Sequence, residues 1–505
     1  MAAVPGAPVV LTADQILMAQ HRLLLDGMLA ASQTTTSPEP LLRGLLLPSS
    51  PHDPATGRAV LAPLGLRRVE AALLRDGLSR ADVAIADERH LDRVVGPETR
   101  VVALATGDPL GLGMSSSTMT AVAGGRIWTE MLFQRVLARV RAAIQAVGSP
   151  ARIVVGGPGA WQLAQHPERM EPMGIDHIIC GYCEANVTGL LRQVMSGISL
   201  PPVLPGEPPL VADIPPIVGP ATMGAVELSR GCGLGCEFCT LAGVAMGHLS
   251  LDSILADAQT NLAGGNENLA LLSEDSLRYG ARGVHCRPEA LLELAWHLRS
   301  LRGVRLLQVD HVNVASVDQF GAGELRTLHD LLAGEEGGLC WVNIGVESAS
   351  GRLVEALGGR PKMGGVPAEE WGRFAGEQLR RLCKAGFLPL TSLVIGVPEE
   401  TSEDLQTTLN WVRSLQDLRL TVFPVLYAPV DGSPPPTPQS LSKLHWQLLR
   451  ECYALNFRHM PALYWDNQTR GGVPRSKCLG FQILGKGQVA QWKTLLWWRQ
   501  RRAPA

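Results

Sequence analysis

The residues best equipped for chemistry are three cysteines, in Cys232-Gly-Leu-Gly-Cys236-Glu-Phe-Cys239. Three thiolates at C-x3-C-x2-C spacing on a short glycine-containing loop can each hold one iron of a [4Fe–4S] cube. The fourth iron then stays open to an outside ligand. Residues 225–229 read as a strand leading into this loop, and residues 250–262 as a helix leaving it. Zinc is a competing reading, because Cys180/Cys183 and Cys236/Cys239 are both C-x2-C pairs. That arrangement leaves Cys232 over and draws on two different units. A disulfide framework suits neither the length nor ten cysteines in 505 residues, and nothing resembles a secretory signal. Cys286, Cys340, Cys383, Cys452 and Cys478 stand singly and suit core positions.

These residues need a large scaffold. Two to four domains are expected from the length. Hydrophobic residues make up 46% and charged residues 18%, and the formal net charge is −2. No basic field points to nucleic acid, and no apolar run is long enough to span a bilayer. The expectation is a cytoplasmic enzyme with neither a nucleic-acid nor a membrane partner.

The first 55 residues read as an N-terminal helical arm: a frayed or extended segment to about residue 11, then a helix over 13–31. Residues 56–215 alternate strand and helix. Strands are expected at 58–63, 81–85, 100–105, 151–155 and 178–179, and helices at 66–76 and 127–147. Short buried strands between helices imply a parallel, doubly wound sheet with its ligand at the strands' C-terminal edge. Two loops at that edge stand out. One carries Gly107, Asp108, Gly111, Ser115 and Ser116, mixing glycines with polar groups. The other carries Gly156, Gly157 and Gly159, where bare backbone admits a flat ligand. No G-x-G-x-x-G opens the first helix. The unit ends on Asp176-x4-Gly181-x2-Glu184, and the Pro-rich stretch 200–220 reads as a linker.

Residues 216–432 again alternate strand and helix, with strands at 225–229, 268–272, 304–309, 340–344, 388–395 and 420–426. Six repeats suggest a partial (β/α)6 barrel with its chemistry at the C-terminal rim. The rim residues are Glu274 with Asp275, Asp310 with His311, Glu347 with Ser348, Gly396 with Glu399, Glu400 and Thr401, and lastly Asp431 and Gly432. Helix capping competes as the role of Glu347 and Glu400, and a satisfied structural histidine competes at His311. From 433 the alternation stops, and a helix over 439–456 and a Trp-rich, basic end are expected to form a small C-terminal domain covering the barrel mouth.

The C-x3-C-x2-C loop resembles that of the radical S-adenosylmethionine (SAM) superfamily, in which the open iron takes the amino and carboxylate groups of SAM. Gly345-Val-Glu347-Ser348 and Gly396-Val-Pro398-Glu-Glu-Thr401 resemble that superfamily's SAM-holding segments. The loop at 156–160 and the ending at 176–184 resemble the cobalamin-binding, Rossmann-like domain placed ahead of the barrel in one class of these enzymes. The whole chain is similar to cobalamin-dependent radical SAM tryptophan 2-C-methyltransferases of thiopeptide biosynthesis. That resemblance implies an α/β fold: a Rossmann-like cobalamin domain, a partial barrel and the C-terminal domain. It implies methyl transfer from SAM by way of methylcobalamin to C2 of tryptophan, and an external electron donor. The alternatives are radical methylation of an unactivated carbon or phosphinate, and a ring-forming oxidoreductase. No D-x-H-x-x-G occurs, so cobalamin is expected base-off without a histidine ligand, and Arg68 is assigned to the face beneath cobalt. Glu274 is expected near the open iron or SAM, with Asp310 and His311 as proton-moving partners.

Overall fold

The computed structural model describes residues 5–335, 337–430 and 433–503. The expected rim positions Asp431 and Gly432 lie outside the described residues. Contacts divide the chain into two units. The first takes the chain up to Ser116, then Gly125–Val226 and Leu249–Asn266, and the second takes Ser117–Gly124, Glu227–His248 and the chain from Glu267 onward. The helix Leu251–Ala263, expected within the barrel segment, therefore groups with the first unit.

The first unit is built on six parallel strands: β1 (Val9–Ala13), β2 (Val83–Ile85), β3 (Val101–Ala105), β4 (Arg152–Gly156), β5 (His177–Cys180) and β6 (Val203–Pro205). Their order is β2-β1-β3-β4-β5-β6. Alternate residues feed two cores. Val10, Val102 and Leu104 pack with Phe133 and Val136 of the helix Trp128–Ala146. Val9, Leu11 and Val101 pack with Leu66 and Leu73 of the helix Leu64–Arg75. Chain order reverses around β1, so the crevice for a ligand lies at the C-terminal ends of β1 and β3.

This sheet corrects four expectations. The supposed arm contains β1, whose five residues are all buried. A parallel strand covered on both faces shows an unbroken apolar run, Val-Val-Leu-Thr-Ala, and none of the alternation that marks a half-exposed strand. The helix expected over 13–31 is two helices, Gln15–Met18 and Leu24–Ala31. Residues 58–63 form no ladder: Ala59 and Ala62 make only isolated bridges, to His52 and Ala221. The Pro-rich stretch holds β6, an edge strand, where proline's missing N–H costs no ladder bond.

The second unit follows the short strand β7 (Ala225–Glu227). A two-residue antiparallel ladder joins β8 (Ser229–Arg230) to β9 (Gly247–His248). Next come β10 (Asn268–Leu272), β11 (Leu306–Val309), β12 (His311–Asn313), β13 (Cys340–Glu347), β14 (Phe387–Ile395) and β15 (Thr421–Leu426). β10 and β11 pair in parallel, and β12-β13-β14-β15 form a second parallel sheet. Asp310 joins the two: its N–H donates to Leu271 O of β10, and its carbonyl accepts from Asn343 N of β13.

The C-terminal segment begins against the C-terminal end of β14, where a Cβ on Gly396 would stand 3.0 Å from Pro436, and then runs along the sheet. The helix expected over 439–456 spans Lys443–Arg470 and packs antiparallel to a second helix, Arg475–Arg502, with the Tyr453 and Trp492 rings 4.9 Å apart. His445, near its start, meets Glu400 just beyond β14 at 2.8 Å. Its far end reaches the opposite edge: Arg470 donates to Ala333 O at 2.6 Å, and Asn268, opening β10, donates to Gly471 O at 3.0 Å. The long helix flanks β15 from one edge of the sheet to the other, with Asn456 bonding both the N–H and the carbonyl of Val422.

Candidate active site

The cluster loop occupies residues 231–246, and the β8–β9 ladder closes its base. Glycine supplies the tight path. Gly231, Gly233 and Gly235 all have φ near 70°, which L side chains adopt at a cost. A Cβ on Gly231 would stand 2.5 Å from Val244 O. Arg278 pins the loop from outside, donating to Cys232 O and to Gly283 O, both at 2.7 Å. Leu357 O accepts from Glu237 N at 3.1 Å on the other side.

The loop brings the three thiols into one electrostatic neighbourhood. Burial pushes Cys236 up to about 11, and Cys232 and Cys239 reinforce the shift. Burial also raises Cys239, with Cys232 and Glu274 adding to it. Among the described residues, no three His, Cys, Asp or Glu side chains converge on a single ion. A four-iron cube asks for no such convergence, because each thiolate meets a different iron. The donor set, three adjacent thiols in a poorly solvated loop, fits such a group.

Glu274 follows β10 and faces this loop. Burial raises its pKa, and Glu227 and Asp310 push in the same direction. Its Oε2 is buried without a hydrogen-bond partner. Asp275, its competitor in sequence, is committed elsewhere: it accepts from Ser316 Oγ at 2.6 Å and Asn313 N at 3.2 Å. His311 Nδ1 lies 2.9 Å from Asp310 Oδ1. The His311 ring is half-exposed, and Asp310 beside it raises its pKa. Glu274, Asp310 and His311 are thus brought together.

Glu347 ends β13 with φ 64°, where the pairing register to β14 shifts. A bulge of this kind re-aims a side chain, and a left-handed glutamate is a strained one. Its carboxylate pairs with Lys362, which the sequence reading did not identify. Ser348 turns away: its hydroxyl meets Thr408 at 3.0 Å and its carbonyl accepts from Trp371 Nε1 at 2.8 Å. Gly396, at φ 74°, donates its N–H to Glu400 Oε2 at 2.8 Å. Glu400 therefore clamps its own loop and His445, while Asp404 takes the capping role at Thr401. Lys362 left no sequence signal, being a single lysine in a short Pro-containing turn.

In the first unit the expected glycines collect at the strands' C-terminal edge. A Cβ on Gly159 would meet Gly107 O at 2.5 Å, and one on Gly157 would meet Thr106 N and O at 2.9 Å. These two glycines let the loops after β3 and β4 touch. Gly107 and Gly181 instead border open space, whereas Gly156 lies 3.5 Å from Ile179 O by the same measure. Gly111 sits at φ 72°. Asp108 accepts from Gln162 Nε2 at 2.6 Å, so its carboxylate helps hold the loop. Ser115 is exposed, while Ser116 and Glu184 are buried. Thr12, Thr106 and Thr129 all have buried hydroxyls without a protein partner. Thr106 directly follows β3 at the crevice. Open glycine backbone and unsatisfied hydroxyls fit a large polar ligand at this edge.

Arg68 corrects an expectation. Its guanidinium donates to Pro215 O at 2.8 Å and to Asp257 Oδ2 at 2.5 Å, in a side-chain pair almost sealed from solvent. It is a buried clamp between helices and not a group facing a ligand.

No family model matches the chain. Solved structures give the fold class first. The chain is similar to the radical S-adenosylmethionine methyltransferase TsrM from Kitasatospora setae with tryptophan and aza-SAM bound. The TM-score is 0.53 at 16% identity, covering 84% of this chain and 75% of that one. It is similar also to TsrM with cobalamin and a [4Fe-4S] cluster bound, at TM-score 0.52, 16% identity and coverage of 84% and 77%. The shared fold is mixed α/β with parallel sheets. Among curated sequences it is similar to the ribosomal protein uS12 methylthiotransferase RimO of Moorella thermoacetica, 24% identical over 378 residues, 73% of this chain and 78% of that protein. RimO of Citrifermentans bemidjiense is 26% identical over 245 residues, where the match spans half the relative's length.

Proposed function

We propose that this chain is a cobalamin- and [4Fe–4S]-dependent C-methyltransferase with SAM as methyl donor and C2 of tryptophan as the acceptor. The observation that carries it is the pairing of the closed three-cysteine loop with Glu274, whose buried Oε2 has no protein partner and which acts electrostatically on Cys239. The TsrM likeness supports the reading, since structures of that protein hold tryptophan with a SAM analogue, and cobalamin with a cluster.

Cys232, Cys236 and Cys239 would hold the cluster, in a partial (β/α)6 barrel. Glu274 would orient SAM or the open iron. Glu347, held at the end of β13, would help hold SAM. His311, kept basic by Asp310, can hold a proton near Glu274. Gly107, Gly156, Gly157, Gly159 and Gly181 would border cobalamin, with Thr12, Thr106 and Thr129 meeting its polar groups. When bound, these cofactors supply an activated methyl group, and the protein supplies binding and orientation. An external electron donor would keep them reduced.

Anaerobic reconstitution with iron, sulfide and cobalamin, then incubation with tryptophan and methyl-labelled SAM, tests this. Label at indole C2 with far less than one deoxyadenosine per methyl is expected. Stoichiometric deoxyadenosine would favour radical methylation of an unactivated carbon or phosphinate. Products without added methyl would favour ring formation.

A further inference from the structure

Lys362 is nearly buried, with 12% of its side chain exposed. It belongs to the turn Arg360–Met363, which follows Gly358. That glycine presses on the cluster loop: a Cβ there would lie 2.9 Å from Glu237 Cγ and 3.3 Å from Gly235 O. The backbone bond from Glu237 N to Leu357 O ties the same two segments together. The ammonium lies over Gly345, where a Cβ would stand 2.6 Å from Lys362 Nζ. Its partner, Glu347, is held at φ 64° beside the bulge. Glu347 pairs directly with the ammonium, and Cys236 and Cys232 lie within its electrostatic reach. A buried lysine that served Glu347 alone would bring desolvation with little net gain. The packing of its segment on the loop that carries Cys232 and Cys236 gives the positive charge a second function.

We propose that Lys362 is a positioning residue for the iron–sulfur site, its ammonium acting as buried countercharge to Cys232 and Cys236, with Glu347 setting how much of that charge the cluster feels. The proposal rests on the reading that Cys232, Cys236 and Cys239 hold a cluster. A fixed positive charge in a poorly screened site favours the more negative, reduced cluster. Removing Lys362's charge therefore makes reduction harder, and removing Glu347's makes it easier.

The test is an EPR-monitored redox titration of reconstituted protein. Dithionite supplies one electron per cluster, taking [4Fe–4S]2+ to [4Fe–4S]1+, and is itself oxidised to sulfite. Lys362→Met is expected to shift the reduced-to-oxidised ratio about tenfold toward oxidised, roughly 59 mV for a one-electron couple. Glu347→Gln is expected to shift it several-fold toward reduced, and Lys362→Arg to stay within about twofold of wild type. A merely structural role would not give opposite signs. If Lys362→Met cannot retain iron but Lys362→Arg can, the countercharge is again supported. An unchanged or lowered potential in Glu347→Gln with full iron content overturns the proposal, as does an unchanged Lys362→Met. Wild-type protein that assembles no cluster sinks the underlying cluster reading instead.

Discussion

Asp14 shows what burial does to a single carboxylate. It follows β1, caps the helix Gln15–Met18 by accepting from Ile16 N and Leu17 N, and is almost wholly buried. Burial pushes its pKa up to about 7 from 3.8, with Glu88 adding to the shift. The folded chain thus holds this proton more tightly than the unfolded chain, and only the ionised form is penalised. Stability falls as pH rises from about 4 to about 7 and is flat above. Asp14→Asn keeps a capping oxygen and removes the charge. Relative to wild type it should gain on the order of 2–4 kcal/mol between pH 4 and pH 8, read from urea midpoints at both values; parallel midpoints across that range would refute it. Residues with a spacing were legible in the sequence: the three cysteines, and Glu274 at a strand end. Lys362 and the hydroxyls of Thr12, Thr106 and Thr129 were not, because their roles arise from what surrounds them after folding. Arg68 was misassigned for the same reason. Its partner Asp257 lies 189 positions away, and nothing local announces it.

Among the elements, the cluster loop depends on its glycines and on the short ladder at its base. Gly231→Ala would force an alanine into φ 70°, costing roughly 1–2 kcal/mol, and would drive Cβ to within 2.5 Å of Val244 O. Iron per chain after reconstitution should fall well below wild type, with a lower melting temperature. Full iron loading would show that the loop tolerates a different path. The periodic strands β3, β4, β10, β14 and β15 were readable because each follows or precedes a clear helix. β1 was hidden by its place near the chain start and by its unbroken apolar run. The long helix Lys443–Arg470 was legible only as far as residue 456, and it continues through Pro461. Its route along the sheet follows from buried anchors such as Asn456, which sequence periodicity does not rank.

Across the whole molecule, no helix among the described residues is long and apolar enough to cross a membrane. The first unit is completed by a late segment. Asp257, on the helix Leu251–Ala263, accepts from Arg68 and from Ile217 N at 2.9 Å, and Asn261 binds Ala221 N and Ala225 O. Asp257→Ala would leave a buried guanidinium without its counterion, a loss of about 3–5 kcal/mol. Urea denaturation should show that loss, with a milder one in Asp257→Asn; a loss under about 1 kcal/mol would mean that Arg68 finds another partner. The chain also passes back and forth between the two units, which take alternating segments on either side of residues 116, 124, 226, 248 and 266. No single cut in the gene therefore releases either unit whole. A recombinant that exchanges one half with a relative at a single crossover will always carry a foreign segment into one of the units.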